Sequence, residues 1–163
     1  MNIFSNPCVI AVAGKPKSGK STVLIKLINI FIMRKFRVYR YEKNVWKLTP
    51  EDYVISEREG RKYRTVNIIT VPTQIVYIEL PNGKKCGINT AGDDYKTIHK
   101  NLNILYNKGC EIVITATRDS KTPFSAVEAF VKMTKWTFLR IIKDDNSYFS
   151  EMNLHEFLFS LLK

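Results

Sequence analysis

The chain has 163 residues, 45% of them hydrophobic and 12% aromatic, which gives one domain enough apolar material for a three-layer core and excludes a disordered chain. No apolar run approaches the ~20 residues that cross a bilayer, and residues Met1–Pro7 lack the basic start of a secretion signal, so a cytoplasmic protein with no membrane partner is expected. The formal charge of +11 points either to a polyanion such as nucleic acid or to a plain Lys-rich composition, and no K/R-rich tract decides between them.

The first element is a short apolar strand, Cys8-Val9-Ile10-Ala11-Val12-Ala13, followed at once by Gly14-Lys15-Pro16-Lys17-Ser18-Gly19-Lys20-Ser21. Apolar Val23, Leu24, Leu27, Ile28, Phe31 and Ile32 then recur at helical spacing, predicting a helix from about Lys20 to Lys35. Residues Arg37–Glu42 read as a second strand, which makes strand–helix–strand a unit of parallel sheet. Residues Lys43–Lys62 carry Pro50 and Gly60 and read as a loop, with a helical turn after Pro50. Arg64–Val71 and Gln74–Leu80 are β-branched, and Asn82-Gly83 is a hairpin signal that pairs Gln74–Leu80 antiparallel with Lys85–Asn89. A helix is expected over Asp94–Asn107, a doubly buried strand over Cys110–Ala116, a helix opening at Pro123 and a strand over Trp136–Ile142. A turn at Lys143–Asn146 and a closing helix over Glu151–Leu162 complete the chain. Cys8, Cys86 and Cys110 lack metal-ligand spacing and read as buried reduced thiols. The sum is a single α/β domain, a mostly parallel sheet with one antiparallel hairpin.

The Gly14–Ser21 segment matches G-x-x-x-x-G-K-[ST], a phosphate-binding loop, in the strand–loop–helix frame that motif needs. Gly14 and Gly19 let the backbone curl so that amides of Lys15, Pro16's neighbours, Lys17 and Ser18 face phosphate oxygens. The helix N-terminus through Thr22 adds further amides, Lys20 reaches the β- and γ-phosphates, and the Ser21 hydroxyl holds Mg²⁺. Such a site also needs an acid to orient the metal shell and the attacking water. Three segments offer one. The first is Asn89-Thr90-Ala91-Gly92-Asp93-Asp94, where Gly92 can meet the γ-phosphate and Asp93 or Asp94 the metal shell, unless they serve as helix caps. The others are Glu79 after Ile75–Ile78, and Glu42 at the end of the second strand. Arg118, just past the apolar strand, is either a phosphate-side arginine finger on a mobile loop or a solvated charge.

These residues resemble the P-loop NTPase superfamily, whose three-layer fold the element order fits. Asn89-Thr90-Ala91-Gly92 looks like the D-T-A-G element of small GTPases and the D-x-P-A-G element of Min/ParA-type partition ATPases. Lys15 occupies the place of the signature lysine in the latter group, which implies a nucleotide-sandwich homodimer, although Pro16 and Lys17 replace two glycines of that motif. Both families carry Asp where this chain has Asn89, which implies that Asp93 takes over or that hydrolysis is slow. The guanine-reading N-K-x-D is missing, with Ile142-Lys143-Asp144-Asp145 its nearest relic, so ATP rather than GTP is the expected ligand. The resemblance implies Mg-dependent nucleotide hydrolysis driving a switch. A small-molecule or nucleotide kinase, and a basic nucleic-acid-binding module with weak or lost hydrolysis, are the alternatives.

Overall fold

Strand β1 (Cys8–Gly14) is buried at every residue, as its unbroken apolar run requires, and the sheet is built outward from it. The computed structural model describes residues 6–16, 18–56, 67–70, 74–143 and 151–162. Helix α1 (Lys20–Met33) leads to β2 (Val38–Glu42) and β3 (Val45–Leu48). After β4 (Tyr53–Ser56) and β5 (Asn67–Thr70) come the hairpin β6 (Ile75–Glu79) and β7 (Lys85–Asn89). The remainder is α2 (Tyr95–Asn107), β8 (Ile112–Arg118), α3 (Lys121–Thr134), β9 (Thr137–Ile142) and α4 (Glu151–Leu162). Among the described residues, seven strands form one mixed sheet in the order β3-β2-β6-β7-β8-β1-β9, and β4 pairs with β5 alone.

The sheet has two parts. Strands β7, β8, β1 and β9 are mutually parallel, whereas β6, β2 and β3 are joined to them and to one another antiparallel. Alternation along β1 divides the core: Ile10 and Val12 face the apolar stripe of α1 and helix α4, while Val9 and Ala11 face α2 and α3. Helices therefore cover both faces, and every parallel strand ends at the same edge of the sheet, where Gly14, Asn89 and Arg118 lie.

Four expectations need correction. Strand β2 runs in the direction of β1, as the expected strand–helix–strand unit has it, but β6, β7 and β8 stand between them and β2 pairs only antiparallel. The segment read as a loop over Lys43–Lys62 contains β3 and β4, and its turn after Pro50 leads into β4 rather than a helix. The turn between β2 and β3 is made by Lys43 (φ 49°) and Asn44 (φ 63°), a left-handed pair without the glycine that signals such hairpins. Pro123 is the third residue of α3, not the first. The expected strand over Arg64–Val71 is β5 in its middle; residues 64–66 and 71, like the turn residues 144–146, lie outside the described ones.

The hairpin at Asn82-Gly83 forms as expected, with Gly83 at φ 84°. The three thiols are free and buried, and burial pushes Cys8 up to about 11 and Cys110 up to about 12.

Candidate functional site: a glycine loop facing an acidic loop

Gly14 ends β1 because a side chain there would run into the carbonyl oxygen of Lys143 and the Ser18 hydroxyl. The chain then turns, Ser18 N donating to Lys15 O at 3.1 Å, and enters α1 through Gly19 at φ 88°, a conformation glycine adopts without strain. No side chain caps α1, so its first-turn amides remain available to an anion, whereas α2 is closed by its own cap. Lys17 lies outside the described residues. Lys15 and Pro16 are exposed, and Thr22 is half-buried in the first turn of α1.

Lys20 is only 6% exposed, yet its ammonium is held loosely: Lys15 O lies 3.4 Å away and Asp93 Oδ1 3.8 Å away. Burial pulls its pKa below the ordinary lysine value, with Asp93 acting against that shift and Arg118 with it. Ser21 gives its hydroxyl proton to Thr90 O, which fixes the acidic loop against the start of α1. Lys20, Ser21 and Asp93 therefore lie at one place, as does Gly92.

The facing loop is built around Asn89, which is fully buried at the end of β7. Its Oδ1 accepts from Ala91 N (3.2 Å) and Asn101 Nδ2 (2.9 Å); its Nδ2 donates to Ala91 O (2.9 Å) and Thr115 Oγ1 (3.0 Å). Those four bonds exhaust the amide. An aspartate could not donate to Ala91 O, so asparagine here folds the loop rather than filling a metal site badly. Gly92 is required by close approach as well: a Cβ would strike the backbone of Ala116 and Thr117. Arg118 N donates to Gly92 O at 2.8 Å, locking the loop to β8.

Arg118 is the last residue of β8, in register with Gly14, and not part of a mobile loop. Its Nε donates to Asp93 Oδ1 at 3.2 Å, so the 69%-exposed Asp93 carboxylate sits between the Lys20 and Arg118 cations. Asp94 is the α2 cap: Thr97 N and Thr97 Oγ1 donate to its carboxylate at 2.8 and 2.9 Å, which also holds its pKa low.

The other two acid candidates are not brought to this place. Strand β6 runs antiparallel to β7, so Ile75 is level with Asn89, while Glu79 is paired with Lys85 at the far edge. Glu42 ends β2 four strand positions from β1 and meets Arg40 (3.6 Å) and Lys47 (3.8 Å) within its own hairpin.

One residue takes a role that the sequence reading did not give it. Lys143, 5% exposed, follows β9; its N donates to Ala13 O (2.7 Å) and its Nζ to Ser18 O (2.9 Å), bracing the loop from the side opposite Asp93. Its trace in the sequence is its place just after the last strand, as the lysine of the Ile142-Lys143-Asp144-Asp145 relic.

Mg²⁺ keeps several waters and takes one or two protein oxygens beside substrate phosphates. Ser21 Oγ and the exposed Asp93 carboxylate, on facing loops, are a donor set of that kind. No cluster of three or more His, Cys, Asp or Glu side chains that could hold a metal alone occurs among the described residues. No helix among them is long and apolar enough to cross a membrane. Comparison with family models, curated proteins and solved structures gives no match to this chain, so what it does is argued from this site alone.

Proposed function

We propose that this chain binds a Mg²⁺-nucleoside triphosphate, ATP in preference to GTP, on the Gly14–Ser21 loop and hydrolyses it as a nucleotide-dependent switch with a P-loop NTPase fold. The observation that carries the reading is Lys20: a nearly buried ammonium held only by a long bond to Lys15 O at 3.4 Å and a loose pair with the exposed Asp93 at 3.8 Å, beside an uncapped helix start. A buried cation so weakly partnered is costly, and a polyphosphate would supply closer and stronger acceptors than the exposed Asp93 carboxylate.

The roles follow from position. The amides of the loop and the first turn of α1 cradle phosphate oxygens, and Lys20 holds the β- and γ-phosphates. Ser21 and Asp93 are the residues that would hold Mg²⁺, which would supply positive charge to offset that of the phosphates. Arrival of the phosphates takes Lys20 from Asp93. The freed carboxylate then orients the attacking water, and Arg118 stays close enough to neutralise charge developing at the γ-phosphate. Because Asp93 and the Ser21–Thr90 bond belong to one loop, the same exchange changes the forces on that loop, which is what a switch requires.

Calorimetry on Lys20→Ala tests this: Mg-ATP binding is lost while thermal stability is equal to or above the parent's, since a penalised buried charge has been removed. Asp93→Ala retains most of the binding and loses hydrolysis. Equal ATP affinity in parent and Lys20→Ala sinks the proposal.

Lys15 extends the reading to a pair of chains. Exposed beside the loop, its ammonium can offset phosphate repulsion across a two-fold dimer. Light scattering should show ATP-promoted dimers that Lys15→Ala removes; a mass that stays monomeric with ATP, with ADP and without either overturns this extension.

A further inference from the structure

Between the Lys43-Asn44 turn and helix α2 lies a cavity of about 170 Å³, at the same edge of the sheet as the loop carrying Lys20. Tyr41, Lys43 and Asn44 form one wall and Lys100, Asn101 and Gln74 the other. None of the residues lining it is acidic, and among the described residues no carboxylate pairs with Lys43 or Lys100. Glu42, next to Lys43 in sequence, is turned to Arg40 and Lys47.

We propose that this cavity binds the phosphoryl group of a small phosphorylated compound. Two cations on opposite walls suit a dianionic head, and the Asn44 amide and Tyr41 hydroxyl supply neutral donors for its several oxygens. Size sets the limit: sites for drug-sized ligands begin near ~300 Å³, so this one takes the head of a ligand whose remainder lies outside. A polynucleotide is instead followed along an open groove.

The back wall gives the cavity a connection. Asn101 Nδ2 donates to Gln74 Oε1 (3.1 Å) and to Asn89 Oδ1 (2.9 Å), and Gln74 O accepts from Thr90 N (2.8 Å) and Thr90 Oγ1 (3.1 Å). Thr90 O in turn holds Ser21. A ligand that shifts Gln74 or Asn101 acts on the loop that faces the nucleotide, and this coupling rests on the nucleotide reading above. Linkage makes it reciprocal: each ligand changes the other's affinity by the same factor.

The test begins in the Lys20→Ala chain, where the glycine loop no longer competes for phosphate. Calorimetric titration with inorganic phosphate and with ribose 5-phosphate should show one site per chain, and ribose none. Lys43→Ala and Lys100→Ala should each weaken that binding about tenfold, the loss of one charged hydrogen bond. Absence of phosphate binding, or binding that neither substitution weakens, overturns the site. A single-stranded oligonucleotide that binds through both lysines and is not displaced by ribose 5-phosphate overturns it in favour of nucleic acid. In the parent chain, saturating ribose 5-phosphate should shift Mg-ATP affinity several-fold, and saturating Mg-ATP should shift ribose 5-phosphate affinity by the same factor. An unshifted affinity overturns the coupling. A parent chain that does not bind Mg-ATP overturns the nucleotide reading and the coupling with it, and the phosphate titration alone then decides the cavity.

Discussion

The parallel and antiparallel parts of the sheet are built on different terms. Strands β1 and β8 are buried on both faces, with every residue of the apolar β1 and six of the seven in β8 buried, Thr115 and Thr117 among them. Strand β3 is an edge whose Val45 and Leu48 are 53% and 52% exposed, held by the pairing of its backbone with β2 and by the Tyr41–Trp46 contact. The first part carries the glycine loop and its partners at strand ends that burial fixes. The second carries an aromatic cluster in which Tyr77 stacks on Tyr39 and meets Trp46 edge-on, with a charged rim. The contrast is thus between the buried centre of the sheet and its solvated edges, since β6 is still buried at four of its five residues and the parallel edge β9 is mostly exposed. Asn89, Asn101 and Gln74 cross the β6–β7 seam where the two parts meet.

The comparison can be broken most readily in the parallel part. Ile114, wholly buried in β8, should cost about 2–5 kcal/mol when truncated to Ala, read by denaturant unfolding. A loss below about 1 kcal/mol would mean that this core yields to cavities. The seam comes next. Asn89→Asp should cost about 1–3 kcal/mol, because a carboxylate cannot donate to Ala91 O or Thr115 Oγ1. The buried carboxyl titrates above its unfolded value near ~3.9, so the penalty is full at neutral pH and shrinks as pH falls through the raised pKa. Unfolding curves at pH 7 and pH 4 decide this, and a stabilised or more active Asn89→Asp would mean that the position is a metal ligand after all. The smallest effect belongs to the edge: Leu48→Ala should change stability by no more than about 0.5 kcal/mol, and a larger loss in the same unfolding assay would show that the hairpin is packed more firmly than its exposure indicates.

What could be read beforehand follows the same division. Continuous apolar runs located β1 and β8 to within a few residues, and Asn82-Gly83 marked the antiparallel β6–β7 hairpin, because those signals are local. The hairpin β2–β3 was missed because Lys43-Asn44 enters the left-handed region without a glycine and its strand is half solvated. The meeting of Lys20, Ser21, Gly92 and Asp93 was legible from motif spacing. The bracing was not: Asn101, Thr115 and Lys143 touch the site through hydrogen bonds whose partners are distant in sequence, and a neutral asparagine at position 89 read as a defect until its four bonds were seen. Strand order is the remaining blind spot, since nothing in residues Arg37–Glu42 says that three strands will come between them and β1.

The brace at Lys143 also bears on how the protein is made. The glycine loop is written within eight consecutive residues, yet the ammonium that grips Ser18 O arrives 125 residues later. During synthesis β1 and α1 can form early, but the loop between them lacks that grip until β9 has added to β1. Closing so long a span is among the slow steps of folding. The braced shape of the glycine loop is therefore a late event in the life of the chain, and a nascent chain stalled before β9 would carry the motif without the shape.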